Sequence, residues 1–296
     1  MSRTTPNSRL YIKRKRNKED FCNICGVKSK LTFDHVPPKC CFNDVNIKPL
    51  ETLSGEKEKY NPNCSQNGLK YRSLCGECNN GLLAKYDKSV EDVVEQIKNH
   101  FLTSNLKKEN VINLKIKINA FAKSICGHFL AMKNSYDNQC VTDILLRKYV
   151  LDPCALPPED HQLLIRFYPY STVFAIRDVA IHPNHIDPAM PKGMISILSS
   201  FPIAYILNSG SDSGGFIDLF RYCSENINET IELKLDIYSA FHTNTNMLRH
   251  EKWPCNITDD ISGTSILICS AHAASDSIYG NRDNKILVSR LQNTKK

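Results

Sequence analysis

The residues best suited to chemistry in this chain are two Cys-x-x-Cys pairs, Cys22/Cys25 and Cys75/Cys78, with an Asp34-His35 pair between them. Thirteen cysteines in 296 residues would produce roughly half a Cys-x-x-Cys pair by accident, so two pairs in the first third point to one shared metal. Zinc takes four soft ligands in a tetrahedron, and a Cys-x-x-Cys turn brings two thiolates to one ion without strain. A structural Zn²⁺ held by Cys22, Cys25, Cys75 and Cys78 would close residues 26–74, which have little core of their own, and can contribute on the order of 10 kcal/mol to folding. Asp34 and His35 end a predicted strand, so their side chains leave on opposite faces. The carboxylate can hold a hard divalent cation, while the imidazole reaches water from the other side and takes its proton near neutral pH.

The order Cys-x-x-Cys, Leu31-Thr-x-Asp-His-Val-Pro-Pro-Lys39, then Leu74-Cys-x-x-Cys-Asn-Asn80 and a helix resembles the HNH endonuclease family, over residues 22 to about 92. The resemblance implies a ββα-metal fold and metal-dependent hydrolysis of phosphodiester bonds, in DNA first, with RNA as an open alternative. It implies that Asp34 is a ligand of a catalytic Mg²⁺ or Mn²⁺ and that His35 is the general base that activates water. Asn79 takes the slot where many members have a final His, with Asn80 as its alternative. The family's middle Asn has no clear counterpart, since Lys70 and Tyr71 stand there and Asn67 lies slightly upstream. Tyr86-Asp87 resembles a pairing in a subgroup of the family, or else Tyr86 packs in the core and Asp87 faces water.

These residues need elements to position them. Leu31 to Phe33 and Tyr71 to Leu74 read as strands, and residues 40–68 as a long polar loop. Leu82, Leu83, Tyr86, Val90, Val93, Val94, Ile97 and Phe101 recur at spacings of three and four, which predicts an amphipathic helix from about Asn80 to Leu102 with Asn79 or Asn80 as N-cap. A charged stretch, 106–110, then marks a boundary. Beyond it come an alternating strand at 112–118, helices at 120–132 and 141–150, and apolar β-branched runs at 163–168, 172–181, 194–207, 230–238 and 264–269. His128, next to Gly127, reads as a packing residue.

The fold class expected is therefore α+β: a basic arm (1–20), a zinc-stabilised ββα-metal HNH-like module (21–105), and a mostly β recognition or regulatory domain with two leading helices (110–296). Net charge is +7, and Arg3, Arg9, Lys13, Arg14, Lys15, Arg16 and Lys18 account for all of it. Such an arm can lie along a phosphate backbone or merely solubilise the chain; Arg14, Arg16 and Lys39 are the nucleic-acid contacts expected. No apolar run resembles a signal peptide or a membrane span, and the odd, scattered cysteines do not suit a secreted disulfide scaffold. A cytoplasmic protein that does not engage membranes is expected. Family habit suggests a restriction or phage-defence effector with an activating protein partner or trigger. The rival is a non-catalytic, zinc-stabilised nucleic-acid-binding or regulatory protein.

Overall fold

The computed structural model describes residues 16–43, 48–51, 68–103, 111–133, 135–168, 172–181, 193–209, 216–237 and 266–270. The protein is α+β, as expected. Strands β1 (Glu19–Phe21), β2 (Lys28–His35) and β4 (Lys70–Cys75) form an antiparallel sheet in the order β1-β2-β4. A π-helical turn, Glu77–Leu83, leads into helix α1 (Ala84–Thr103). Its apolar face, with Leu83, Tyr86, Val90, Val93, Val94 and Ile97 buried, is the one the spacing predicts. The helical path begins before Asn79 and Asn80, however, so neither is an N-cap; both sit inside the wide first turn.

Strand β5 (Val111–Lys117) alternates strictly, burying Ile112, Leu114 and Ile116, and pairs with β11 (Thr230–Asp236). Helices α2 (Ile118–Ala131) and α3 (Val141–Leu151) follow. Every residue of α2 is buried, so it runs through the middle of the molecule. Gly127 permits this: a Cβ there would lie 2.2 Å from Leu83 Cδ2, so the Leu83 side chain, just ahead of α1, packs directly on the α2 backbone.

The remaining strands, β6 (Gln162–Phe167), β7 (Thr172–Ile181), β8 (Gly193–Ser200), β9 (Ile203–Asn208), β10 (Ile217–Asp218) and β12 (Ile266–Ser270), build an antiparallel seven-stranded sheet with β3 (Lys48–Glu51), in the order β10-β6-β9-β8-β7-β12-β3. Two expectations change here. The run 194–207 is two strands, because the chain turns at Phe201-Pro202, where proline removes a ladder donor. Within the loop expected at 40–68, Lys48–Glu51 is a strand at the edge of the large sheet, paired with β12. One hydrophobic cluster runs from Cys22 through α1 and α2 to Ile237.

Candidate metal centre and carboxylate–histidine site

Cys22 and Cys25 lie in the turn between β1 and β2, which is closed by hydrogen bonds from Cys22 N to Val27 O and from Gly26 N to Cys22 O, each 2.9 Å. Gly26 has φ +71°, which glycine adopts without steric cost. Cys75 ends β4, and Cys78 enters the helical turn with its backbone N–H aimed at Cys75 Sγ, 3.4 Å away. The four sulfurs all lie within 4.8 Å of one another, and Cys25 Sγ and Cys75 Sγ are 3.8 Å apart. A tetrahedral zinc with bonds of about 2.3 Å requires sulfur separations of about 3.8 Å, so the donor set fits zinc in number, softness and spacing. A hydrogen bond from the Cys78 thiol, opposed by burial, holds the Cys22 pKa down to about 5, so a thiolate is favoured there. The described residues can thus hold one metal ion at four cysteines.

The first knuckle is docked deep in the molecule. Asn23, 1% exposed, donates to Leu130 O and Lys133 O, each at 2.9 Å, and its own carbonyl accepts from Arg147 Nε at 2.8 Å. Ser73 Oγ donates to Ala131 O at 2.6 Å. Carbonyls at and just past the end of α2 thereby take side-chain donors from the hairpin.

At the other end of the hairpin, the register pairs Phe33 with Arg72, Asp34 with Tyr71 and His35 with Lys70. Side chains alternate along β2, so Asp34 and Thr32 face the helices while Phe33 and His35 face the other way. On that second face Arg72 stacks over the Phe33 ring at 4.3 Å, and Lys70 stands opposite the half-buried His35. Asn79 reaches the inner face: its Nδ2 donates to Thr32 Oγ1 (2.9 Å) and Phe33 O (3.0 Å). Asn80 and Lys39 are exposed.

Asp34 is 6% exposed, and its Oδ2 lies 3.1 Å from Nδ1 of His128 on α2. The other ring nitrogen, Nε2, is 3.0 Å from Asp87 Oδ1 on α1, which also accepts from Ser124 Oγ at 2.5 Å. His128 is wholly buried. Burial alone would push its pKa down, but Asp87 and then Asp34 outweigh that and hold it up at about 10, so the ring is an imidazolium at neutral pH. His128 is therefore more than packing, and Asp87 does not simply face water. The one readable signal was that α2 is apolar nearly all round, so its Ser124 and His128 must find buried partners. Which partners, the sequence does not say.

A hard cation at Asp34 has one feature in its favour. Oδ2 is a buried anionic oxygen whose contact with His128 is ionic but not an aligned hydrogen bond. Asn79 commits its amide nitrogen to Thr32 Oγ1 and Phe33 O on the same strand, and an amide oxygen is a donor type that Mg²⁺ accepts. Arg16 corrects an expectation. It is buried, and its guanidinium is occupied by Asn23 Oδ1 (2.6 Å), Phe21 O (2.7 Å) and Asp20 Oδ2, so it does not present itself to phosphate. Arg14 lies outside the described residues. Elsewhere, Asp143 of α3 is fully buried among Lys133, Arg177 and Arg147, and its nearness to Asp137 and Cys140 is explained by that ionic network.

Among the described residues, no helix is long and apolar enough to cross a membrane. Comparison with family models, with curated proteins and with solved structures finds no match to this chain.

Proposed function

We propose that this protein is a metal-dependent endonuclease that hydrolyses phosphodiester bonds, with DNA as its first substrate. The observation that carries the reading is the placement of two adjacent residues at the end of β2: Asp34 is buried and lies 3.1 Å from His128 on α2, while the half-buried His35 stands opposite Lys70. The four-thiol cluster supports it by tying the hairpin to the helix that follows.

In this reading His35 accepts a proton from the attacking water at the end of β2, and Lys70 opposite it adds positive charge near the phosphate. Asp34 and Asn79 would hold Mg²⁺ or Mn²⁺, which when bound supplies Lewis-acid stabilisation of charge on the phosphate oxygens. Asn79 also keeps the Thr32–Phe33 backbone in place beside Asp34.

One observation favours a second reading. The ion pair of Asp34 with His128 gives this carboxylate a structural job with no cation needed, as in a zinc-stabilised nucleic-acid-binding protein without catalysis. Plasmid DNA incubated with the full chain and Mg²⁺ or Mn²⁺ separates the two. Nicking or linearisation that falls about 10²–10⁴-fold in His35→Ala is the expected result. Retarded but uncut DNA under every metal condition would transfer the conclusion to the binding protein.

A further inference from the structure

We infer that His128, steadied by Asp87, is a positioning residue that sets the Asp34 carboxylate for a divalent cation, so that helix α2 completes the site from outside the cysteine and Asp-His motifs. The inference rests on the phosphodiesterase reading above and adds to it a residue that no motif contains.

The geometry is a chain of contacts: Ser124 Oγ to Asp87 Oδ1, Asp87 Oδ1 to His128 Nε2, and His128 Nδ1 to Asp34 Oδ2. Both ring nitrogens are used, so the imidazole is fixed in its plane and cannot rotate without breaking a contact to a carboxylate. Its neighbours along α2, Phe129 and Leu130, are buried apolar residues, and Gly127 is pressed on Leu83. A leucine-sized side chain would fill such a place without desolvating three ionisable groups, and replacing buried ion triads by apolar residues often leaves stability unchanged or raised. Stability alone is thus a poor reason for the arrangement.

Two carboxylates flank the ring, and Asp87, at the outer end of this chain of contacts, is 27% exposed. Carboxylates that bind metals are usually fixed by partners outside the metal's own ligand set, and losing one costs about 10–100-fold in metal affinity.

The test uses the full chain loaded with zinc. Mn²⁺ binding is titrated by electron paramagnetic resonance for the wild type, His128→Gln and Asp87→Asn, with zinc content and thermal unfolding measured on each sample. Expected are one zinc per chain throughout and a Kd for Mn²⁺ raised about tenfold or more in both folded variants. A folded His128→Gln protein with the wild-type Kd overturns the inference, even if Asp87→Asn weakens binding, because Asp87 would then act as a ligand in its own right. If His128→Gln does not fold, Asp87→Asn decides: an unshifted Kd overturns the inference, and a raised one supports it. A wild-type chain that binds no Mn²⁺ overturns both the inference and the metal-dependent reading beneath it.

Discussion

Replacing Cys75 by serine tests the framework on which the proposed chemistry depends. Cys75 is one of four sulfurs gathered within 4.8 Å, it lies 3.8 Å from Cys25 Sγ, and it accepts the N–H of Cys78. Its replacement leaves three thiols and a hydroxyl, which is not among the thiolate, imidazole and carboxylate groups that hold zinc. Structural zinc of this type contributes about 10–16 kcal/mol in apparent terms, whereas whole domains are stable by about 5–15 kcal/mol. Losing even half of the zinc contribution should therefore unfold the hairpin that carries Asp34 and His35. The effect should spread, because Asn23 in the first knuckle is hydrogen-bonded to Leu130, Lys133 and Arg147. The assay combines metal analysis by mass spectrometry, near-ultraviolet circular dichroism and urea unfolding, with Cys154→Ser, at an exposed cysteine away from the cluster, as control. One zinc per chain is expected in the wild type and control, with the variant zinc-depleted and its unfolding midpoint lost or sharply lowered. A zinc-free Cys75→Ser protein with the wild-type spectrum and midpoint would refute the reasoning.

Further outcomes follow from the buried charges and the helix contact. His128 is held up at about 10 from an ordinary 6.5, so its contribution is fully present below about pH 6.5 and is lost as pH rises toward 10. Lys123, pushed down by burial from 10.5 to about 8, works in the opposite sense between those values, so the wild-type minus His128→Gln difference in urea stability is the quantity to follow. That difference should fall by a few kcal/mol between pH 6.5 and 10; a flat difference would contradict the buried imidazolium. Asp143→Asn should destabilise by up to about 3–5 kcal/mol, since it removes the fully buried carboxylate, 2.7 Å from Lys133, and leaves Asp178 as the anion that Lys133 and Arg177 still share; denaturant midpoints report it. Gly127→Ala should destabilise by about 1–3 kcal/mol in thermal unfolding, despite alanine's better helix propensity, because Leu83 is itself buried and has little room to move from a Cβ 2.2 Å away.

Local spacing was enough for what depends on neighbours in the chain. The three- and four-residue recurrence from Leu82 to Phe101 marked the buried face of α1, the alternation from Ile112 to Ile116 marked β5, and two Cys-x-x-Cys turns marked a four-cysteine cluster. Each is readable because a helix, a strand or a knuckle imposes its own period or turn on the residues that form it. Tertiary structure decided the rest. Arg16, read as a phosphate contact, folds back onto Asn23 and Phe21, and Lys48–Glu51, read as loop, finds its partner strand at Ile268–Ser270. Asp34 and His128 are far apart in sequence, and nothing in the composition of either segment names the other. They meet because Gly127 lets α2 run close to the start of α1, while Asn23 and Ser73 dock the hairpin onto the end of α2. The sequence by itself read His128 as packing and Asp34 as a metal ligand; only the packing of the hairpin and helices decided that both are buried and serve each other, since a buried charge must have a partner.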